Sequence, residues 1–126
     1  MQIIENDINP FVDEWEKKGI FDGHGVYKKL GQAGLLGICR EPEYGGMGLD
    51  YSYSIAFMEE LGSKTRAAGV ATSIAVQTEV MQPALSRFGS DELKLTFLKP
   101  TIAGDWIGAL CVTEPGSGSD VSCESI

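Results

Sequence analysis

The sequence predicts a mainly α-helical bundle domain followed by a single β-strand and a polar loop. Apolar residues recur at three- and four-residue spacings in five separate stretches, as they do in helices that bury one face. The apolar run from Trp106 to Val112 is short and continuous instead, which is typical of a buried strand. Pro115 and two glycines follow, and such residues end sheet pairing. We therefore expect the helices to come first and the strand last.

The first two helices are predicted over residues 2–18 and 24–34. Pro10 lies inside the first apolar pattern, so we expect a kink or a junction between two helices there. Two lysines and Gly19 supply the basic last turn and the glycine that end this helix. The second helix begins at Gly23-His24-Gly25, which is a weak cap, and its first turn is expected to fray. Its inward positions are Val26, Leu30 and Ala33.

A long loop and a third helix are predicted next. Residues 35–39 form an apolar run too short for a helix, and residues 40–50 form the loop. No lysine follows the three glycines of this loop, so we interpret it as a packed turn and not a phosphate loop. Asp50 is the expected N-cap of a helix over residues 51–62, which Gly62 would end. Its apolar edge is expected to comprise Ile55, Met58 and Leu61.

Two more helices are predicted before the strand. The longest periodic pattern covers residues 66–88, and Pro83 within it should bend the helix. Ser90 is the expected N-cap of a helix over residues 91–102, and Gly104 opens the strand. The positions expected inside are Val70, Ile74, Thr78, Met81, Leu85 and Phe88 in the longer helix, and Leu93, Phe97 and Leu98 in the other.

Composition argues against several classes of function. The 126 residues carry a net charge of −8 and no cluster of Lys or Arg, which argues against nucleic-acid binding. No window approaches the roughly 18 apolar residues of a membrane span. Glu5 and Asp7 near the N-terminus argue against a signal or transit peptide. Cys39, Cys111 and Cys123 have no CxxC spacing, so we expect free thiols and no zinc site.

The segment from Val112 to Asp120 is the most informative stretch of the chain. Its glycines and short hydroxyl residues leave backbone N–H groups that can point together at an anion such as a phosphate. The spacing matches neither the GxxxxGK[ST] phosphate loop nor the GxGxxG dinucleotide turn. Taken by itself, such a loop is more typical of a Ser- and Gly-rich surface turn after a strand.

Three separated stretches carry a more specific pattern. The first runs from Leu30 to Gly37 and leads into the sequence PEYGGMGLD. The second combines Glu59 to Gly62 with Phe88 to Lys94. The third is the strand and loop from Gly108 to Val121, and its TEPGSGSD element is the most specific of the three. Together they resemble the acyl-CoA dehydrogenase family, flavoproteins that oxidise the α,β bond of acyl-CoA thioesters.

The resemblance implies a division of the chain into two parts. Residues 1–103 would be the N-terminal helical domain, and residues 104–126 would be the start of a truncated middle β-domain with Trp106 to Thr113 as its first strand. FAD is the implied cofactor, acyl-CoA the substrate and an electron-transfer flavoprotein the electron acceptor. The full-length protein, of which this chain would be a portion, is expected to be a homo-oligomer. The family implies the mitochondrial matrix, with the peroxisome or the bacterial cytoplasm as alternatives.

The resemblance also implies which residues meet the cofactor. Thr113 would reach the polar edge of the flavin ring, although a β-branched residue also suits a strand without any ligand. Ser119 would meet both the phosphate region of the flavin and the bound acyl-CoA, which is compatible with capping the next turn. Backbone contacts with the cofactor are expected from Cys111, Val112, Gly116, Ser117 and Gly118.

One helix face consists of small side chains, and two interpretations of it stay open. In the family the corresponding helix lines the pocket for the acyl tail, whereas close packing between helices would also require small residues. The residues of this face are Gly69, Ala71, Thr72, Ser73 and Ala75.

No catalytic residue is assigned within the chain. Glu114 and Asp120 resemble an acid–base pair, but carboxylates in such a loop are better used on its own N–H groups. The reaction needs a carboxylate that removes the α-proton, and in the family this glutamate comes from the C-terminal helical domain. No residue here matches it, so we expect the chain alone to be inactive. His24, the single histidine, is expected to face solvent without a metal.

Two alternative functions also stay open. The first is a helical interaction or assembly module that keeps the fold and the loop but binds no flavin. The second is the equivalent part of an acyl-CoA oxidase, which passes electrons to oxygen. This part of the sequence does not distinguish an oxidase from a dehydrogenase.

Overall fold

The computed structural model describes residues 2–120, and most of them are helical. The α-helices are α1 (Val12–Lys18), α2 (Gly23–Gln32), α3 (Tyr51–Lys64), α4 (Ala68–Ala75), α5 (Gln82–Phe88), α6 (Asp91–Leu93) and α7 (Lys99–Ile102). Three π-helical segments (Ile4–Ile8, Val76–Met81 and Lys94–Leu98) and two 3₁₀ turns (Asn9–Phe11 and Pro42–Tyr44) join them. None of the helices in residues 2–120 has both the length and the apolar character needed to cross a membrane.

The first helical region is divided at Pro10, as the sequence predicts. Pro10 lies in the 3₁₀ turn Asn9–Phe11, which separates the first π-helical segment from α1. The pyrrolidine ring has no N–H to donate, so a change of helix type at this point avoids a missing hydrogen bond. Gly19 ends α1 in the left-handed region with φ 70°, where glycine is favoured.

The prediction that the start of α2 is poorly capped is wrong. A carboxylate oxygen of Asp22 accepts a hydrogen bond from the backbone N–H of Gly25 at 3.0 Å. Asp22 therefore serves as the N-cap, and it satisfies one of the N–H groups that a helix start leaves unpaired. The helix runs from Gly23 to Gln32, two residues short of the predicted end.

Asp50 caps α3 as predicted, but the end and the buried face of that helix differ from the prediction. Its carboxylate accepts the N–H of Ser52 at 2.9 Å. The helix continues through Gly62 to Lys64 because Gly62 keeps a helical conformation. The buried positions are Ser54, Phe57 and Leu61. Ile55, predicted to be inside, is 57% exposed because it lies on the opposite side of the helix from Phe57.

The predicted long helix over residues 66–88 begins at Ala68 and changes type before Pro83. The segment Val76–Met81 is π-helical, and the N–H of Gln82 donates to the carbonyl oxygen of Gln77, five residues earlier. This wider turn accommodates Pro83, which has no N–H of its own to donate. Phe88, predicted to be buried, is 78% exposed at the last residue of α5.

Ser90 begins the last helical region as predicted, since its hydroxyl accepts the N–H of Leu93 at 3.3 Å. Of the three positions predicted to be buried in this region, only Leu98 is buried. Leu93 and Phe97 are each 43% exposed, and Phe97 instead contacts Trp106 with ring centroids 5.8 Å apart. The inward face of the region is formed by Leu98 and Ile102.

Two clusters of buried residues form the core. The larger one joins α1, α2, α3 and α4, and its members are Ile4, Ile8, Val12, Val26, Tyr27, Leu30, Leu36, Ile38, Phe57, Leu61, Ala67, Val70 and Ile74. The smaller one joins the turn Pro42–Tyr44 to the last helical region through Tyr44, Leu98 and Ile102.

The glycine-rich loop over residues 40–50 is a packed turn, as predicted. Its N–H groups bond to carbonyl oxygens of the chain, for example Met47 to Gly37 at 2.8 Å and Gly48 to Arg40 at 2.9 Å. A Cβ atom at Gly46 would lie 2.1 Å from the carbonyl oxygen of Arg40. These N–H groups thus bond to carbonyl oxygens of the chain and are not directed at a phosphate.

Candidate functional site

The candidate site begins where the chain leaves α7. Gly104 has φ 73°, and a Cβ atom there would lie 2.1 Å from the carbonyl oxygen of Tyr27 in α2. The N–H groups of Asp105 and Trp106 both donate to the carbonyl oxygen of Pro100, at 2.9 and 3.3 Å. Residues 104–106 therefore lie directly against the helical domain, and only glycine fits at the first of them.

Gln77 makes the next contact with this stretch. Its side chain is fully buried, and its Nε2 donates to the carbonyl oxygen of Thr101 at 3.0 Å. Its Oε1 accepts the backbone N–H of Gly108 at 2.8 Å. Gln77 was not among the predicted site residues. Its spacing gives a signal, since it follows Val70 by seven positions and Ile74 by three and so shares their buried face.

The predicted strand Trp106 to Thr113 forms no β-ladder in the part of the chain that the structure describes. No neighbouring strand supplies hydrogen-bond partners there, and a strand without a partner is not stable by itself. The predicted cofactor-binding residues Cys111, Val112 and Thr113 are consequently exposed. Their backbone and side chains are accessible to a cofactor or to another part of a longer chain.

The loop after Thr113 is closed by one small turn. Glu114 and Ser117 exchange two backbone hydrogen bonds, each 3.2 Å long, around Pro115 and Gly116. The N–H of Ser117 is therefore engaged by Glu114 in this conformation. The hydroxyl oxygen of Ser117 is buried without a hydrogen-bond partner.

The glycines of the loop leave its backbone accessible. Neither Gly116 nor Gly118 adopts positive φ in this conformation. Nothing lies within 4 Å of a Cβ position at either residue. Ser119 and Asp120 are exposed beside them. The loop thus offers the exposed Ser119 hydroxyl and open space beside both glycines.

The predicted site residues lie in one segment of sequence, Cys111 to Ser119, where all of them except the half-buried Ser117 are exposed, and the other candidate groups lie apart from it. His24 is exposed at the start of α2. In residues 2–120, no group of three His, Cys, Asp or Glu side chains has the arrangement of a metal site. Cys39 is half-buried, and Cys123 lies outside the described residues. On the small-residue face, Gly69 and Thr72 are exposed, and nothing approaches within 4 Å of a Cβ at Gly69.

Comparison with known proteins gives a consistent result. The family described as "Acyl-CoA dehydrogenase, N-terminal domain" matches residues 1–105. A mitochondrial 2-methylacyl-CoA dehydrogenase of Solanum tuberosum is 37% identical over 119 residues, which is 93% of this chain and 28% of that protein. The chain thus spans less than a third of the length of that relative.

Solved structures show the same similarity. An acyl-CoA dehydrogenase from Geobacillus kaustophilus superimposes with a TM-score of 0.86 and 30% identity, over 98% of this chain and 32% of that one. An acyl-CoA dehydrogenase complexed with FAD from Bacillus anthracis superimposes with a TM-score of 0.84 and 31% identity, over 98% of this chain and 20% of that one.

Proposed function

Because this chain belongs to the acyl-CoA dehydrogenase family, we propose that it is the N-terminal portion of an FAD-dependent enzyme that oxidises the α,β carbon–carbon bond of an acyl-CoA thioester. The observation that carries the proposal is the family match over residues 1–105, which leads directly into the exposed TEPGSGSD loop. The match identifies the helical domain, and the loop supplies groups suited to a flavin dinucleotide.

Each part of the exposed segment has a proposed role. Thr113 meets the polar edge of the flavin ring with its hydroxyl and N–H groups. Ser119 meets the phosphate region of FAD and the bound acyl-CoA. Cys111, Val112, Gly116, Ser117 and Gly118 contribute backbone contacts. FAD, when bound, supplies the acceptor for the hydride that leaves the β-carbon of the substrate.

The chain's own contribution is to bind and orient these ligands. No carboxylate of the described residues is proposed to remove the α-proton. The backbone of Glu114 exchanges two hydrogen bonds with Ser117 and so forms part of the turn. A carboxylate in such a turn is better used on nearby N–H groups than on proton transfer. The base is proposed to come from a C-terminal helical domain of the full-length protein.

The division at residue 103, homo-oligomeric assembly and an electron-transfer flavoprotein as electron acceptor are parts of the same proposal. The mitochondrial matrix is the proposed location, and several relatives are described as mitochondrial. A bacterial cytoplasmic or a peroxisomal location is the alternative, since a Bacillus subtilis relative is also similar.

Purified full-length protein tests the proposal. We expect about one FAD per chain and bleaching of its visible absorbance when a saturated acyl-CoA is added without oxygen. Reoxidation by an electron-transfer flavoprotein, but only slowly by oxygen, distinguishes a dehydrogenase from an oxidase. Full-length protein without flavin would instead support the helical interaction module.

A further inference from the structure

We propose that Gln77 is a positioning residue for the flavin, because it fixes the point from which the cofactor-binding segment extends. This inference rests on the proposed function. It concerns a residue that lies 36 positions before Thr113 in the sequence and is itself fully buried.

The two hydrogen bonds of Gln77 define its orientation. The carbonyl oxygen of Thr101 can only accept, and the N–H of Gly108 can only donate. The side-chain amide therefore has one orientation that satisfies both, with Nε2 toward Thr101 at 3.0 Å and Oε1 toward Gly108 at 2.8 Å. Gln77 links the end of the helical domain to the start of the exposed segment.

Met81 contributes to the same contact from the next turn. Gln77 and Met81 are four residues apart in the π-helical segment Val76–Met81, and both lie against Gly108. A Cβ atom at Gly108 would lie 1.9 Å from Cε of Met81. Gly108 is thus held on one side by an amide hydrogen bond and on another by the methionine side chain.

The hydrogen bond between Gln77 and Gly108 lies further along this segment than its two bonds to Pro100. The bonds to the carbonyl oxygen of Pro100 are made by Asp105 and Trp106, before Gly108. Beyond Gly108, residues 109–113 are exposed. Five residues of extended chain would span about 16 Å. A displacement at Gly108 would therefore be passed on to Thr113 once a neighbouring strand of the full-length protein pairs with these residues.

Gln82 offers a matched control. Like Gln77 it is a fully buried glutamine, and its Nε2 lies 3.5 Å from the hydroxyl oxygen of Thr101. The hydrogen bond of Gly108 is made to Gln77 and not to Gln82. Replacing either glutamine with methionine removes a buried amide while keeping a similar length, but only Gln77→Met removes the hydrogen bond to Gly108.

The experiment compares Gln77→Met with Gln82→Met in the full-length, FAD-loaded protein. We expect Gln77→Met to weaken FAD binding about tenfold, as the loss of a hydrogen bond with a buried partner would, and to change the visible circular dichroism of the flavin. Gln82→Met should lower the thermal midpoint less, since its amide has one contact of 3.5 Å and an Oε1 without a hydrogen-bond partner, and it should change FAD affinity less than twofold. Equal effects of both variants on the flavin, or no effect of Gln77→Met, would overturn the inference.

Hydrogen exchange in the wild-type protein provides a measurement that needs no variant. The Gly108 amide should exchange more slowly than the Ala109 amide, and equal rates would overturn the inference. If Gln77→Met does not fold, Gln77→Asn, whose amide is one carbon shorter, takes its place with the same expectations. Wild-type protein that holds no FAD would contradict the proposed function and this inference together, whereas FAD-loaded wild type with an unaffected variant contradicts the inference alone.

Discussion

Gly31 in α2 lies directly against Ala103, the residue that follows α7. A Cβ atom at Gly31 would be only 2.3 Å from the carbonyl oxygen of Ala103 and 2.7 Å from the backbone nitrogen of Gly104. Backbone atoms cannot move aside as the end of a long side chain can. This contact places the residues that follow α7 against α2. The candidate cofactor-binding segment continues from these residues.

The first prediction compares this glycine with Gly62. Gly62 lies within α3, and nothing is within 4 Å of its Cβ position. Gly62→Ala should therefore stabilise the chain by about 0.5–1 kcal/mol, since alanine restricts the unfolded chain and favours the helix. Gly31→Ala should instead destabilise it by about 1–3 kcal/mol through overpacking. Urea unfolding of both variants measures this, and stabilisation by Gly31→Ala would show that the two segments are not in contact.

The second prediction concerns the pH dependence of the α3 cap. Hydrogen bonds from the side chain and then the backbone N–H of Ser52 hold the pKa of Asp50 below its ordinary value. Because the pKa of Asp50 is lower in the folded state, its charged form stabilises the fold at pH values above the unfolded-state pKa, about 3.9. This stabilisation is lost as the pH falls through the folded-state pKa. Asp50→Asn keeps an uncharged cap. The difference in unfolding free energy between this variant and the wild type should be constant above about pH 5. Near pH 3 the variant should become as stable as the wild type or more stable. A difference that does not depend on pH would contradict this.

Thr113 and Ser119 are predicted to govern different ligand properties in the full-length protein. Thr113→Val should mainly change the flavin absorbance spectrum and its redox behaviour, because the threonine hydroxyl is proposed to meet the ring. Ser119→Ala should mainly raise the KM for acyl-CoA or loosen FAD retention. Each lost hydrogen bond typically costs about 0.5–1.5 kcal/mol, or up to roughly 3 with a charged partner. Identical profiles for the two variants would mean that the loop acts as one unit.

Glu114 is predicted to be structural. Glu114→Gln in the full-length enzyme should leave the pH dependence of α-proton abstraction unchanged, even if flavin occupancy falls. Stopped-flow measurement of flavin bleaching at several pH values follows this step. Loss of turnover by several orders of magnitude with FAD still fully bound would instead identify Glu114 as the base.

The isolated chain is predicted to bind FAD weakly or not at all. Thr113 and Ser119 are exposed, so the described residues do not enclose a ligand there. A buried cofactor site usually encloses most of its ligand. Titration of the chain with FAD and measurement of flavin fluorescence tests this, and a submicromolar Kd would show that the site is complete within these residues.

Local signals in the sequence were sufficient for several parts of the fold. Asp50 and Ser90 mark helix starts because their short polar side chains reach an N–H within the next three residues. Gly19 marks a helix end for an equally local reason. Such interactions involve only neighbouring residues, and a sequence pattern describes them directly.

Burial was less predictable because it depends on partners far along the chain. Ile55, Phe88 and Phe97 fit a helical apolar spacing, yet all three are exposed. An apolar residue can lie on either side of a helix that has apolar residues on several faces, and the packing partner decides which side is inward. Gln77 shows the converse, since its hydrogen-bond partners lie 24 and 31 residues away.

The candidate site was predicted better as a set of residues than as a conformation. Its members do form one accessible segment, but the strand lacks a ladder and the N–H of Ser117 is bonded within the loop. Pairing of a strand and the shape of a ligand-binding loop both depend on atoms outside the segment itself. The roles of Thr113 and Ser119 and the domain boundary at residue 103 stay predictions.

The unpaired segment also affects how the chain behaves while it is being made and purified. Trp106, Leu110 and Val112 are exposed along a stretch whose backbone lacks a neighbouring strand. The packed elements of the helical domain are mostly neighbours in sequence, so this domain should fold rapidly, before any distant strand pairs with the segment. An apolar, unpaired edge can associate with the same edge of another molecule. Expressed by itself at high concentration, the chain is therefore expected to aggregate through residues 106–113.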